Sequence, residues 1–131
     1  MKKMLTVGAL VLFGAACKNN VANVEVVPPV NVSFQNQVLP IFAANCSACH
    51  NSSFKQSNLD LSSYQAINSG SGRVYGANLV IAGDANNSGL MDAIQANPSS
   101  GISRMPQNRS PLSANQIETI KVWINEGALN N

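Results

Sequence analysis

Cys46-Ser-Ala-Cys49-His50 gathers two thiols and the chain's sole histidine into five consecutive residues. The spacing C-x-x-C-H is the attachment signature of c-type haem: both sulfurs become links to the porphyrin, and the adjoining imidazole reaches the iron. Nothing else in the chain restricts its fold as tightly, because a small domain carrying such a run must arrange its apolar side chains around a flat macrocycle. Residues i and i+3 of a helical turn share a face, so Cys46 and Cys49 can meet one porphyrin edge with His50 as the proximal ligand. Two other chemistries use part of this pattern. A dithiol redox pair expects strand-helix-strand surroundings, and no such alternation flanks the run. Structural zinc needs four nitrogen or sulfur ligands, and the mature chain would offer three.

The beginning of the chain fits the same reading. Lys2 and Lys3 precede an apolar run, Met4 to Ala16, that is too short to cross a bilayer and ends in small residues; residues 1–16 therefore read as an export signal. Cys17 follows Gly14-Ala15-Ala16 and resembles the acylated cysteine of a bacterial lipoprotein cleavage box, with Gly14 standing where such boxes usually carry leucine. Lipidation would also account for the odd thiol of a chain with 3 cysteines bound for an oxidising compartment. Residues 17–32, rich in Asn, Val and Pro, read as a lipid-anchored tether. The stretch from Lys18 to Val32 could reach at most about 50 Å when extended. The competing reading is a short strand over Val24–Val27 that docks on the domain. Residues 33–131 then form one domain.

Charge excludes several partners. The 8 basic and 6 acidic residues give a net charge of +2, but Lys2 and Lys3 leave with the signal, and the mature chain balances. It has no basic stripe for nucleic acid and no polybasic patch for anionic lipid. Docking to redox partner proteins must rest on local patches.

Periodicity predicts an all-α fold with long loops. Phe34, Val38, Ile41 and Phe42 mark one face of a helix running into the haem motif, with Ser33 placed to cap it and Pro40 expected to bend or restart it. Ser113 to Gln116 has capping-box spacing before the stripe Ile117, Ile120, Ile124, with Trp123 beside it and Gly127 as the stop. Shorter helices are expected over Ser62–Asn68, from a second Ser-to-Gln box, and over Ser88–Gln95. Gly70, Gly72, Gly76 and Gly83 mark irregular loop, and Asn78–Ala82 is the one β-like run.

An iron held by one imidazole needs a second axial ligand or an open position. Without another histidine, methionine is the natural candidate. Met91 sits inside a helical stretch between Leu90 and Ile94, where it is most simply core filling. Met105 lies in a loop, stiffened by Pro106, and is the preferred ligand; a five-coordinate iron is the remaining alternative. Phe42, Tyr64, Tyr75 and Trp123 are candidates to line the haem pocket, against ordinary core packing. Tyr75, Arg73 or Arg104 could serve a haem propionate, the arginines against a solvated surface position.

These pieces, in their order, resemble a small monohaem cytochrome c of the planctomycete type, within the class I cytochromes c. They are Val38-Leu39-Pro40-Ile41-Phe42, the haem motif, Leu59-Asp60-Leu61-Ser62-Ser63-Tyr64, Ala82-Gly83-Asp84 with Ser88-Gly89-Leu90, Met105-Pro106, and Leu112-Ser113 through Trp123-Ile124-Asn125-Glu126-Gly127-Ala128. The resemblance spans Val38 to Ala128. It implies three to five short helices wrapped around one covalently bound haem c, with the first and last helices packed together and His50 and Met105 as axial ligands. Such domains are often fused to larger enzymes or repeated, and a domain standing alone favours a carrier.

His/Met ligation raises the potential of the iron relative to bis-histidine ligation, as does burial against apolar side chains. The expectation is therefore a monomeric electron carrier on the periplasmic or cell-envelope side, anchored to a membrane by lipid and serving a respiratory complex, oxidase or dehydrogenase. It is not expected to be an enzyme. A peroxidase-like enzyme would want a distal histidine or arginine beside an open iron. A haem-based sensor would want a displaceable Met105.

Overall fold

The computed structural model describes residues 29–70 and 72–131. The export signal, Cys17, most of the tether and Val24–Val27 lie outside them. Among the described residues there is no strand. Four helices carry the fold: α1 (Leu39–Asn45), α2 (Tyr64–Asn68), α3 (Gly89–Ile94) and α4 (Ala114–Asn125). None is long and apolar enough to cross a membrane.

The first helix restarts at its proline. Phe34–Val38 forms a wide turn in which the Val38 amide reaches the Ser33 carbonyl and the Leu39 amide reaches the Phe34 carbonyl, five residues back. Regular α-helix begins at Leu39, with Pro40 in its first turn, where the missing N–H costs nothing. Ser33 caps the start, its hydroxyl accepting from the Asn36 amide at 3.2 Å. Phe34, Val38 and Phe42 are each fully buried, so the i, i+4, i+8 face of the sequence is the core face.

That face meets α4. Ring centroids of Phe34 and Trp123 lie 5.3 Å apart, those of Phe34 and Tyr64 5.3 Å, and those of Phe42 and Trp123 6.5 Å. Phe42, Tyr64 and Trp123, candidates for the haem pocket, thus belong to the helix-helix core, and of the four aromatics only Tyr75 faces elsewhere. α4 opens on the expected capping box, with Ser113 and Gln116 bonding each other's backbone. It closes as a Schellman motif: Ala128 N donates to Trp123 O and Gly127 N to Ile124 O, with Gly127 at φ 101°.

The first described residues are held to the C-terminal segment. Glu126 accepts from the Asn31 and Val32 amides, both at 2.8 Å, and Asn131 takes the Phe34 amide on its side chain and the Gln35 amide on its carbonyl. Val32, at the end of the stretch read as tether, is 1% exposed.

Two local expectations, the cap of α2 and the β-like run, are corrected. α2 is capped by Ser63, which accepts from the Ala66 amide, while Ser62 instead donates to Asp60. Ser88 precedes α3 but turns its hydroxyl inward, accepting from the Ile81 amide and donating to the Asp84 carbonyl. Asn78–Ala82 is not a strand. Its backbone has no strand beside it to pair with, and Leu79 O takes the Leu90 amide of α3 instead.

Candidate functional site

Beyond Asn45 the helix gives way to a tight turn built on Cys46, whose carbonyl accepts the amides of Cys49 at 3.1 Å and His50 at 3.0 Å. This turn puts both thiols and the imidazole on the wall of one cavity of about 590 Å³. The thiols are free. Burial pushes the Cys46 thiol up to about 11, whereas Cys49 is exposed.

His50 is oriented by the loop that follows it. Its Nδ1 lies 3.0 Å from the Gln56 carbonyl, and a carbonyl oxygen only accepts, so Nδ1 carries the proton and Nε2 keeps its lone pair for a metal. The backbone is pinned on both sides: Gln56 N donates to Cys49 O, and Leu61 N donates to His50 O. Nothing in the sequence marks Gln56, because the group that acts is its main-chain carbonyl.

Met105 lines the same cavity. Its amide donates to the Ala93 carbonyl of α3 at 2.8 Å, which fixes where the loop crosses the helix. Met91 does not line the cavity and packs against the core, the place its helical position suggested. Leu59, Leu61, Leu79, Leu90, Ile94 and Ile102 make much of the remaining wall apolar, and Tyr75 lines it as well.

The charged rim differs in part from expectation. Arg73 lines the cavity. Arg104 does not; its Nη2 donates to the Arg109 carbonyl at 3.2 Å, and Arg109 lines the cavity in its place. Both arginines flank the Met-Pro loop within a few residues, and sequence alone cannot say which one the loop turns inward.

Tyr75 stands between two loops and a helix. Its ring lies directly over Gly89, where a Cβ would collide with the Tyr75 Cγ, Cδ1 and Cβ. Its hydroxyl donates to Asp92 Oδ2 at 2.8 Å and is 2.7 Å from Ser100 Oγ.

The residues present fit a c-type haem. Two thiols for attachment, an imidazole with a free Nε2, a thioether and a largely apolar cavity with arginines on its wall are the donor set and surroundings that group requires. The fold and this donor set define a c-type haem-binding domain. Residues 46–107 match the family model of planctomycete cytochrome C.

No curated protein matches the chain. Among solved structures, a hydrazine synthase of Kuenenia stuttgartiensis is similar, with 20% identity and a TM-score of 0.49 over 74% of this chain. This chain spans 16% of the length of that one, and a likeness of this degree says nothing about activity.

Proposed function

We propose that the domain carries single electrons between redox proteins outside the cytoplasm, using one haem c held by Cys46 and Cys49 with His50 and Met105 as axial ligands. The observation that carries this reading is that all four side chains line one largely apolar cavity. When bound, the haem supplies a one-electron ferric/ferrous couple. The chain's residues hold its surroundings constant between the two oxidation states. The Gln56 carbonyl keeps the His50 proton on Nδ1 and leaves the Nε2 lone pair free to ligate. The Ala93 carbonyl anchors the Met105 backbone. The leucine and isoleucine walls exclude water, and Arg73 and Arg109 are available to the propionates.

A thioether and an imidazole together leave the iron no vacancy, which favours transfer through the haem edge over chemistry on a bound substrate. Cys49, exposed, marks that edge. Export by residues 1–16, lipid on Cys17 and a monomeric state complete the proposal; an extracytoplasmic setting is typical of planctomycete cytochrome c domains. Carbon monoxide added to the reduced, haem-loaded protein tests the closed site. A carrier keeps its spectrum. A shift at low gas concentration would point to an open or displaceable sixth position, as a peroxidase or sensor requires.

A further inference from the structure

We infer that Asp92 is a positioning residue for the sixth iron ligand: its carboxylate ties the Met105 loop and the glycine-rich loop to α3, and so decides how firmly the distal position is closed. The inference rests on the reading of Met105 as that ligand.

The carboxylate is crowded with donors. Oδ1 accepts from Ser99 N at 2.7 Å, Ser99 Oγ at 2.8 Å and Gln95 Nε2 at 3.0 Å, while Oδ2 accepts from Tyr75 Oη at 2.8 Å and Ser100 N at 3.2 Å. Carboxylates elsewhere among the described residues gather fewer: Asp60 serves Ser62, Asp84 serves Asn87, and Glu126 serves two amides. Hydrogen bonds to an ionised acceptor are about twice as strong as neutral ones.

Position gives the cluster its consequence. The loop leaves α3 after Ile94 and returns to it where Met105 N meets Ala93 O, the residue next to Asp92. Between these points most residues are exposed, so little apolar burial restrains the path, and the carboxylate at Ser99 and Ser100 is the main tie. Tyr75 brings the second loop to the same group, and the Arg73 amide of that loop is bonded to Ser57 O on the His50 side. Both flanks of the cavity are therefore linked through one side chain that does not itself line it.

An external ligand must displace Met105, so its apparent affinity rises in proportion to any loss of methionine binding. The test is imidazole titration of the ferric, haem-loaded full chain. Asp92→Asn is expected to raise imidazole affinity at least tenfold and to weaken the methionine-iron absorption band, with helical circular dichroism and haem content unchanged. Ser99→Ala and Tyr75→Phe, which keep the carboxylate and each remove a donor, should give smaller gains of roughly two- to fivefold. Asp84→Asn, which disturbs a carboxylate-held turn away from the cavity, should leave the affinity alone. Wild-type imidazole affinity in a folded, loaded Asp92→Asn overturns the inference. If that variant does not load haem, unchanged affinity in both Ser99→Ala and Tyr75→Phe overturns it equally. A wild-type protein without the methionine-iron band would instead remove Met105 as ligand, and the positioning role with it.

Discussion

At Gly89 the fold depends on a missing side chain. The Tyr75 ring occupies the space a Cβ would need, so Gly89→Ala must push the tyrosine away from α3 and strain its bond to Asp92. Overpacking of this kind costs about 1–3 kcal/mol, and urea unfolding should show a loss in that range. A second prediction concerns the thiols before haem attachment. With Cys46 pushed up to about 11 by burial, about one thiol in a thousand is ionised at pH 8, and the thiolate is the nucleophile. Iodoacetamide followed by mass spectrometry should find the exposed Cys49 labelled first, with Cys46 slow until the pH approaches 11. Spacing in the sequence pairs the two cysteines but says nothing of their unequal surroundings, with Cys46 half-buried against the core and Cys49 exposed. Gly89 was equally hidden, since its neighbour Tyr75 is remote in the chain and the contact is purely steric.

Helices were readable where capping and periodicity agreed. α4 has both, and its box, stripe and glycine stop all appear as the residues imply. Ser113→Ala should accordingly cost about 1 kcal/mol, within a range of roughly 0.5–2, measurable in the same unfolding experiment. At the adjoining Ser62 and Ser63 the Ser-to-Gln spacing pointed to the wrong cap: Asp60 takes Ser62, and Ser63 caps α2. α3 carries one acid-sensitive group, Asp92. The Ser99 amide, followed by the Ser99 and Tyr75 hydroxyls, holds the Asp92 carboxyl well below the usual carboxylate range, against an opposing effect of partial burial. A carboxyl lowered on folding stabilises the fold fully above its ordinary value, 3.8, and loses that contribution as the pH falls further. Unfolding measured from pH 5 down to pH 2 should therefore show a smaller loss of stability for Asp92→Asn than for the wild type.

The whole molecule joins two halves with different origins. Its helical core, Phe34, Phe42 and Trp123 at the centre, could be read from apolar periodicity. The cavity could be read only at Cys46, Cys49, His50 and Met105, because its remaining walls come from loops whose paths are set by backbone bonds such as Leu90 N to Leu79 O and Arg73 N to Ser57 O. Three of the four site residues lie in one pentapeptide, and Met105 was separable from Met91 by its loop setting; Asp92, Gln56 and Arg109 had no local signal. The sixth ligand offers the most direct test of an electron-carrying haem. The ferric, haem-loaded protein should show the methionine-iron absorption band, and the band should vanish in Met105→Ala while persisting in Met91→Ala. A band lost in Met91→Ala but kept in Met105→Ala, or absent from the wild type, would contradict the account.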